Sequence, residues 1–262
     1  MPTIDILYGK ESLNINYVDR GSGKTVVILH GWGTNVDVYA SIVNALCPFF
    51  RVVVFDMPGF GKSTEPKDAF GVEDYANCAL LIFEKLNISE AFLIGHSHGG
   101  RVAIQLAAQK NNGFNVQKII LLDSAGVIGK KSLKTEIKIK IYKAGKAILG
   151  CAAVKKLFPG ALEKFKKGKG SADYNAASEV MKKSLVKCVN TDMTPLMPQI
   201  TVPTLLVFGS NDTATPVAHA KIMEKLISDS GLVVIEGAGH YSFLDNVPLF
   251  NAVMYSFFEV KQ

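Results

Sequence analysis

The sequence predicts an α/β fold with a mostly parallel, doubly wound sheet. Apolar runs of strand length alternate along the chain with segments of helical periodicity, the order expected when helices cross between parallel strands. Several runs are continuously apolar, as in strands that are buried on both faces. The alternation stops near Ser124 and resumes near Thr204, so a segment of different character interrupts the sheet.

Seven segments have the pattern of strands and five have the pattern of helices. The predicted strands are Leu13 to Val18, Thr25 to Leu29, Val52 to Phe55, Ala91 to Ile94, Lys118 to Leu122, Thr204 to Phe208 and Leu232 to Ile235. The predicted helices are Val36 to Leu46, a segment after Val72, a segment from the turn at Ser97 to Ala108, Pro216 to Ile227 and Val247 to Phe258. Each helix follows a strand, as a doubly wound sheet requires.

The interrupting segment is predicted to be a helical insertion. Residues 133–148 carry an apolar stripe at helical spacing, although residues 137–141 also alternate like a strand, and Tyr174 to Val189 has the pattern of one amphipathic helix. We therefore divide the chain into a core domain, residues 1–124 and 200–262, and a helical insertion, residues 125–199.

Charge distinguishes the insertion from the core. The chain has a net charge of +6, yet residues 126–199 contain 16 lysines against 5 acidic residues. These lysines would attract an anionic substrate or a carrier protein, but solvated faces of amphipathic helices are the favoured interpretation. No motif for nucleic acid accompanies them. The expected partner is a small-molecule acyl substrate, which can be anionic, and the expected state is a monomer or homodimer.

Neither a membrane segment nor a metal or redox centre is predicted. No apolar run is long enough to span a bilayer, and the first residues lack the basic and apolar regions of a secretory signal, so we expect a cytoplasmic protein. The four cysteines are far apart and form no C-x-x-C pair. His96 and His98 have no nearby acidic residue in the sequence that would complete a metal site, and no cofactor is expected.

A candidate nucleophile lies in the segment Gly95-His96-Ser97-His98-Gly99. It follows an apolar strand and precedes a helix, and its glycines allow a strand to turn sharply into a helix. This G-x-S-x-G pattern is typical of a nucleophile elbow, in which the serine hydroxyl is lifted clear of the sheet. The His98 N–H, at the helix N-terminus, would then face a developing negative charge.

A serine needs a base and an orienting acid, and both are predicted downstream. His240 directly follows a strand and two glycines, whereas His219 falls on a predicted helix and is not favoured. Asp212 follows the strand Leu205 to Phe208 and is the favoured acid. Asp123 also ends a strand and is the alternative acid.

A second backbone donor is predicted in the segment His30-Gly31-Trp32-Gly33, after another strand. The N–H of Trp32 would pair with that of His98 to form an oxyanion hole, in which one donor contributes ~3 kcal/mol of transition-state stabilisation. His30 itself is expected to be a structural, hydrogen-bonded residue. The His98 side chain either lines the substrate pocket or is buried and hydrogen-bonded to the scaffold.

These motifs, together with Asp56-Met57-Pro58-Gly59-Phe60-Gly61-Lys62-Ser63, make the chain resemble the α/β-hydrolase superfamily over nearly its full length. The resemblance implies an eight-stranded type of sheet, with a helical cap inserted after strand six that roofs the active site. It also implies a cofactor-free serine esterase or thioesterase with Ser97, His240 and Asp212 as catalytic residues.

Two alternatives stay open. The chain also resembles the meta-cleavage product hydrolases, which break a carbon-carbon bond, and the fold can serve a low-turnover ligand-binding or receptor protein. The His-Gly-Trp-Gly loop is similar to that of the carboxylesterases that cleave pimeloyl acyl carrier protein methyl ester. Those enzymes usually carry Trp and Leu where this chain has His96 and His98, so their substrate is not carried over.

Overall fold

A computed structural model describes residues 2–109, 113–129, 149, 151, 159–160 and 172–260. The chain divides into two compact units. The first comprises residues 1–128 and 179–262, and the second comprises residues 129–178. In the sequence, the second unit lies between the sixth and seventh strands of the first. Its role as a cap stays a prediction.

Within the described residues, eight strands form one sheet in the order β1-β2-β4-β3-β5-β6-β7-β8. They are β1 (Thr3–Tyr8), β2 (Glu11–Arg20), β3 (Thr25–Leu29), β4 (Arg51–Phe55), β5 (Glu90–His96), β6 (Asn115–Leu122), β7 (Thr204–Gly209) and β8 (Ser230–Ile235). The pairs β1/β2 and β2/β4 are antiparallel, and the other five pairs are parallel. The predicted fold class is therefore confirmed.

Helices alternate with the strands from β3 onwards. They are α1 (Ala40–Leu46), α2 (Val72–Lys85), α3 (His98–Ala108), α4 (Ala172–Ala176), α5 (Glu179–Val189), α6 (Val217–Leu226), α7 (Ser242–Asp245) and α8 (Val247–Phe257), with 3-10 turns at Val36–Tyr39 and Met197–Gln199. No helix among the described residues has the length and apolar character needed to cross a bilayer.

The structure differs from the sequence prediction at two elements. Strand β1 was not predicted, because it is a half-exposed edge strand and only Ile6 is buried. The helix predicted over Tyr174 to Val189 is two helices, separated at Ala177 and Ser178. The ambiguous residues 137–141 lie outside the described residues.

Residues 179–199, which the sequence analysis assigned to the insertion, group with the sheet-containing unit. Helix α5 is held there by hydrogen bonds to the loop before α2. The Phe70 N–H donates to Ser184 Oγ over 2.9 Å, and Lys187 Nζ donates to the Ala69 carbonyl over 2.6 Å. These contacts explain why α5 belongs to the first unit despite its place in the sequence.

The register of the parallel strands brings their carboxyl ends to one edge. Leu29 of β3 is level with Gly95 of β5, and His96 is level with Leu122 of β6. Leu122 is in turn level with Val207 of β7. The loops after β3, β5, β6, β7 and β8 therefore meet, as is usual for ligand sites in open parallel sheets.

Candidate active site

Ser97 lies between β5 and α3 in a strained backbone conformation. Its φ is 51° and its ψ is −112°, a region that non-glycine residues rarely occupy and that costs about 1–3 kcal/mol. Backbone hydrogen bonds hold it there, because its N–H donates to Leu122 over 3.1 Å and its carbonyl accepts from Gly100 and Ala125. The turn therefore has the backbone geometry that the sequence predicted, that of a nucleophile elbow.

Two glycines of the elbow are required by close packing. A Cβ atom added to Gly95 would lie 2.7 Å from the Gly100 Cα atom, so strand and helix could not approach as they do. A Cβ atom added to Gly99 would overlap the carbonyl oxygen of Leu29, the last residue of β3. The first turn of α3 therefore packs directly against the start of the His30-Gly31-Trp32-Gly33 loop.

The structure brings Ser97, His240 and Asp212 into one hydrogen-bonded array. The distance from Ser97 Oγ to His240 Nε2 is 2.9 Å, and that from His240 Nδ1 to Asp212 Oδ2 is 2.7 Å. An ionised carboxylate only accepts, so Nδ1 of His240 donates to Asp212. In the neutral imidazole, Nε2 is then free to accept the Ser97 hydroxyl proton. We call these three residues the Ser-His-Asp array.

The Asp212 carboxylate is held ionised by its donors. The Ala214 and Thr215 N–H groups donate to Oδ1, and the Thr215 hydroxyl donates to Oδ2 over 2.5 Å. Burial acts to raise the pKa of Asp212, but hydrogen bonds from His240 and Thr215 outweigh it and lower the pKa to about 2. Thr215 was not singled out from the sequence, although its position three residues after Asp212 is the spacing of a side-chain capped turn.

Asp123, the alternative acid, has other partners. Its Oδ1 accepts the Gly209 N–H over 2.8 Å, and its Oδ2 accepts from the Ser242 N–H and hydroxyl over 3.0 and 2.7 Å. Burial raises the pKa of Asp123 to about 6, and these hydrogen bonds offset only part of that effect. Asp212, rather than Asp123, therefore contacts the His240 ring.

The His30-Gly31-Trp32-Gly33 loop borders Ser97. A Cβ atom added to Gly31 would lie 3.4 Å from Ser97 Cβ. Among the described residues, neither the Trp32 N–H nor the His98 N–H donates a hydrogen bond, so both predicted oxyanion donors are available. The His30 ring accepts the Met57 N–H over 2.8 Å and contacts the Gly31 carbonyl, and burial lowers its pKa to about 4.

The three other histidines that the sequence analysis considered, His96, His98 and His219, lie in different environments. His96 is buried, with Nδ1 2.8 Å from Tyr39 Oη and Nε2 2.8 Å from the His240 carbonyl oxygen. His98 is buried against the rings of Trp32 and Tyr75, and its Nε2 has no hydrogen-bond partner among the residues that the structure describes. His219 lies half-buried on α6, outside the Ser-His-Asp array.

Burial lowers the pKa of both elbow histidines to about 3, so both imidazoles are neutral near pH 7. Both ring nitrogens of His96 are already engaged within the protein. Within the part of the chain that the structure describes, no cluster of three or more metal-ligating side chains is present. The His98 side chain is buried, but among the described residues its Nε2 makes no hydrogen bond to the scaffold, and a place for it in the substrate pocket stays a prediction.

Chemically, the array pairs a hydroxyl with a base whose other nitrogen is held by a carboxylate. Proton transfer from Ser97 to His240 would produce an alkoxide nucleophile and an imidazolium, and the Asp212 charge would stabilise that imidazolium. The array lies at the edge of the sheet where the loops after five parallel strands meet. Four further residues contact the array or the loops that carry it, and sequence patterns did not reveal these contacts. They are Tyr39, His96, Ser242 and Thr215.

Comparisons with known proteins identify the family and the fold of the chain. A family model described as the alpha/beta hydrolase fold matches residues 24–247. An AB hydrolase superfamily protein of Bacillus subtilis, YisY, is 27% identical over 263 residues, which cover 95% of this chain and 96% of that protein. The pimeloyl-[acyl-carrier protein] methyl ester esterase of Legionella pneumophila is 26% identical over 253 residues, which cover 94% of this chain and 99% of that protein.

A solved structure shows the same architecture. The esterase of Exiguobacterium antarcticum superposes with a TM-score of 0.74 at 25% identity, over 97% of this chain and 98% of that chain. The family model spans most of the chain, from the strand before the His30 loop to beyond His240. This chain therefore belongs to the α/β-hydrolase fold family.

Proposed function

We propose that the protein is a serine hydrolase that cleaves a carboxylic ester or thioester through an acyl-enzyme on Ser97. The observation that carries this proposal is the Ser-His-Asp array, in which His240 links Ser97 Oγ to Asp212 over 2.9 and 2.7 Å. The strained elbow supports it, because backbone strain of this kind clusters at functional sites.

In the proposed reaction, Ser97 Oγ attacks the carbonyl carbon while its proton passes to His240 Nε2. The carbonyl π electrons move to the oxygen, and the N–H groups of Trp32 and His98 stabilise that oxyanion. Collapse of the intermediate breaks the bond to the alcohol or thiol, which takes the proton from His240. A water molecule then attacks the acyl-enzyme, with His240 as base, and releases the acid and Ser97.

Asp212 orients the His240 ring and balances the imidazolium charge in both halves of the reaction. Its pKa of about 2 means that the carboxylate stays ionised across the working range of an esterase. The scheme uses only groups of this chain and needs no cofactor.

The substrate class is supported by two relatives. The Legionella pneumophila protein carries the name of a methyl ester esterase, and the Exiguobacterium antarcticum protein that of an esterase. An ester is therefore the first substrate to test. The 16 lysines of residues 126–199 make an anionic acyl group a second substrate to test, although solvated faces of amphipathic helices stay the favoured interpretation of this charge.

Labelling with a fluorophosphonate tests the nucleophile directly. Mass spectrometry of the folded protein should locate the label on Ser97, and Ser97→Ala should abolish labelling. Ser256→Ala is the matched control, because Ser256 is an exposed serine of α8 outside the array. An unlabelled Ser97 in folded protein would refute the proposal.

A substrate panel separates the remaining classes of function. Esters and thioesters of increasing acyl length should be turned over many times by the wild type and not by Ser97→Ala. Turnover of vinylogous diketones alone would replace the proposal with carbon-carbon bond hydrolysis. Thermal stabilisation by ligands without product would indicate a binding protein.

A further inference from the structure

Three hydrogen bonds join the loop that carries Trp32 to the loop that carries His240. The Gly31 N–H donates to Tyr39 Oη over 2.8 Å, and Tyr39 Oη lies 2.8 Å from His96 Nδ1. On the other side of the ring, His96 Nε2 lies 2.8 Å from the carbonyl oxygen of His240. We call this series of bonds the His96 bridge.

The direction of every bond in the His96 bridge follows from elementary donor and acceptor rules. The His240 carbonyl only accepts, so His96 Nε2 carries the ring proton. His96 Nδ1 must then accept, which makes the Tyr39 hydroxyl its donor. The lone pairs of Tyr39 Oη remain to accept the Gly31 N–H.

The bridge is enclosed by aromatic rings. Tyr39 and His96 are almost completely buried, and Tyr39 stacks on Phe243 with ring centroids 5.5 Å apart. The His96 ring also contacts Phe243 and the His240 ring, at 5.5 and 5.1 Å between centroids. Burial keeps His96 neutral, so its pattern of one donor and one acceptor does not change with pH in the neutral range.

The bridge also lies against the nucleophile. His96 precedes Ser97 in the elbow, and a Cβ atom added to Gly31 would lie 2.7 Å from His96 Nδ1 and 3.4 Å from Ser97 Cβ. Gly31, His96 and Ser97 thus meet at one point. A displacement at either end of the bridge would change the position of the base or of the oxyanion loop relative to Ser97 Oγ.

We propose that His96 and Tyr39 are positioning residues that fix the spacing between the general base and the oxyanion hole. The base and the oxyanion loop lie about 200 residues apart in the sequence. The His96 imidazole bonds the backbone of the first directly and reaches the backbone of the second through the Tyr39 hydroxyl. This inference rests on the proposed function. It assigns to the His96 bridge a role in alignment, and a misplacement of about 1 Å in such a site can cost about 10²-fold in rate.

The test uses Tyr39→Phe, His96→Gln and His96→Phe, with kcat and KM measured on an ester and the rate of fluorophosphonate labelling measured in parallel. Gln places an N–H donor near the position of Nε2 and keeps the bond to the His240 carbonyl, whereas Phe removes both bonds. We expect kcat and the labelling rate to fall about 10-fold in Tyr39→Phe and His96→Gln and about 100-fold in His96→Phe. We expect KM to change less than about threefold, since the bridge residues do not bind substrate in this proposal.

Tyr255→Phe is the matched control. It removes one tyrosine hydroxyl that donates to the Ala45 carbonyl over 2.9 Å, in a partly buried bond outside the site. Its kcat should stay within about twofold of the wild type, even where its unfolding midpoint falls as far as that of Tyr39→Phe. Wild-type kcat and labelling in folded Tyr39→Phe and His96→Gln would overturn the inference and leave the bridge a structural contact. If His96→Phe does not fold, Tyr39→Phe and His96→Gln still test whether the bridge positions the base and the oxyanion hole.

Failure of the proposed function would look different. If the wild type is neither labelled nor active, the proposed reaction is wrong, and the alignment role that rests on it is wrong too. The bridge itself is checked separately by ¹⁵N NMR, in which His96 should be protonated on Nε2 alone. Protonation on Nδ1 would contradict the bond directions and overturn the inference even in an active enzyme.

Discussion

Asp123 and Asp212 follow neighbouring strands of the sheet and are both buried, yet their surroundings give them opposite properties. Asp212 faces an imidazole, a hydroxyl and two backbone N–H groups, and its pKa is lowered to about 2. Asp123 accepts from Gly209 and Ser242, and its pKa is raised to about 6. Burial acts in the same direction on both carboxyl groups. Burial is deeper at Asp123, where it outweighs the hydrogen bonds, whereas the hydrogen bonds from His240 and Thr215 outweigh burial at Asp212.

The two acids also act on the same two loops in different ways. Asp212 contacts the His240 ring and can influence its protonation. Asp123 holds the backbone where the Asp212 loop begins, at Gly209, and just after His240, at Ser242. In the proposed mechanism, the Asp212 carboxylate takes part in the chemistry, while Asp123 holds the loops in place.

The largest expected difference between the two acids is in activity. Asp212→Asn should lower kcat on an ester by about 10⁴-fold, the loss typical when a triad acid becomes an amide, because the amide no longer fixes the tautomer or balances the imidazolium. Asp123→Asn should lower kcat by less than about tenfold, with both variants folded by circular dichroism. The reverse ranking of these two variants would make Asp123 the working acid and break the comparison.

A smaller difference is expected in the pH dependence of stability. His30, His96 and His98 have pKa values lowered to about 4, 3 and 3, so between pH 4 and 6.5 they are neutral when folded and protonated when unfolded. The three histidines therefore lower the free energy of unfolding as the pH falls below 6.5. Asp123 acts oppositely, since its raised pKa makes the folded state hold a proton between pH 4 and 6 that the unfolded state releases. At pH 5 these four groups give a net uptake of about two protons on unfolding.

Asp123→Asn removes the opposing group, so the uptake at pH 5 should rise to about three protons. The corresponding slope of the unfolding free energy steepens by about 1.4 kcal/mol per pH unit. Urea denaturation at closely spaced pH values measures this slope. An unchanged slope in the variant would show that Asp123 is ionised in the folded protein at pH 5.

The smallest expected effect concerns one donor to Asp212. Thr215→Val removes the hydroxyl that donates to Oδ2 while the Ala214 and Thr215 N–H groups and His240 remain. A hydrogen bond to an ionised carboxylate contributes about 1.5–3 kcal/mol. Because three other donors still hold the Asp212 carboxylate, we expect about 1 kcal/mol of this to be lost from the reaction, so kcat should fall about fivefold. Thr213→Val, at an exposed position in the same loop, should leave kcat within about twofold. A loss of kcat equal to that of Asp212→Asn would mean that the Asp212 carboxylate cannot act without the Thr215 hydroxyl.

Sequence patterns predicted the parallel strands because burial on both faces makes each one a continuous apolar run, as in β3 and β4. They missed β1, whose exposed alternate positions give only a short and weak pattern. They also predicted one helix over Tyr174 to Val189. The break precedes Glu179, and Ser178 before it is a residue type that favours a helix N-cap.

The members of the array were identifiable because each follows a strand at the same edge of the sheet. The expected chain order of serine, acid and histidine limited the candidate bases to His219 and His240. The ranking of Asp212 over Asp123 rested on the loop in which each lies, and the partners that separate them, Thr215 and Ser242, belong to other elements. His96 could not be recognised as a bridge from the sequence. Its partners are Tyr39, 57 residues before it, and the His240 carbonyl, 144 residues after it.

The tight packing at Gly95 and Gly99 sets a limit on how this protein can be varied. Gly99 lies against the backbone of Leu29, and Leu29 belongs to a strand that is paired on both sides, so neither partner can move aside. In a randomised library, we expect active members to keep glycine at both positions. Diversity next to the nucleophile is then expected at position 98 rather than at position 96, because His96 belongs to the His96 bridge.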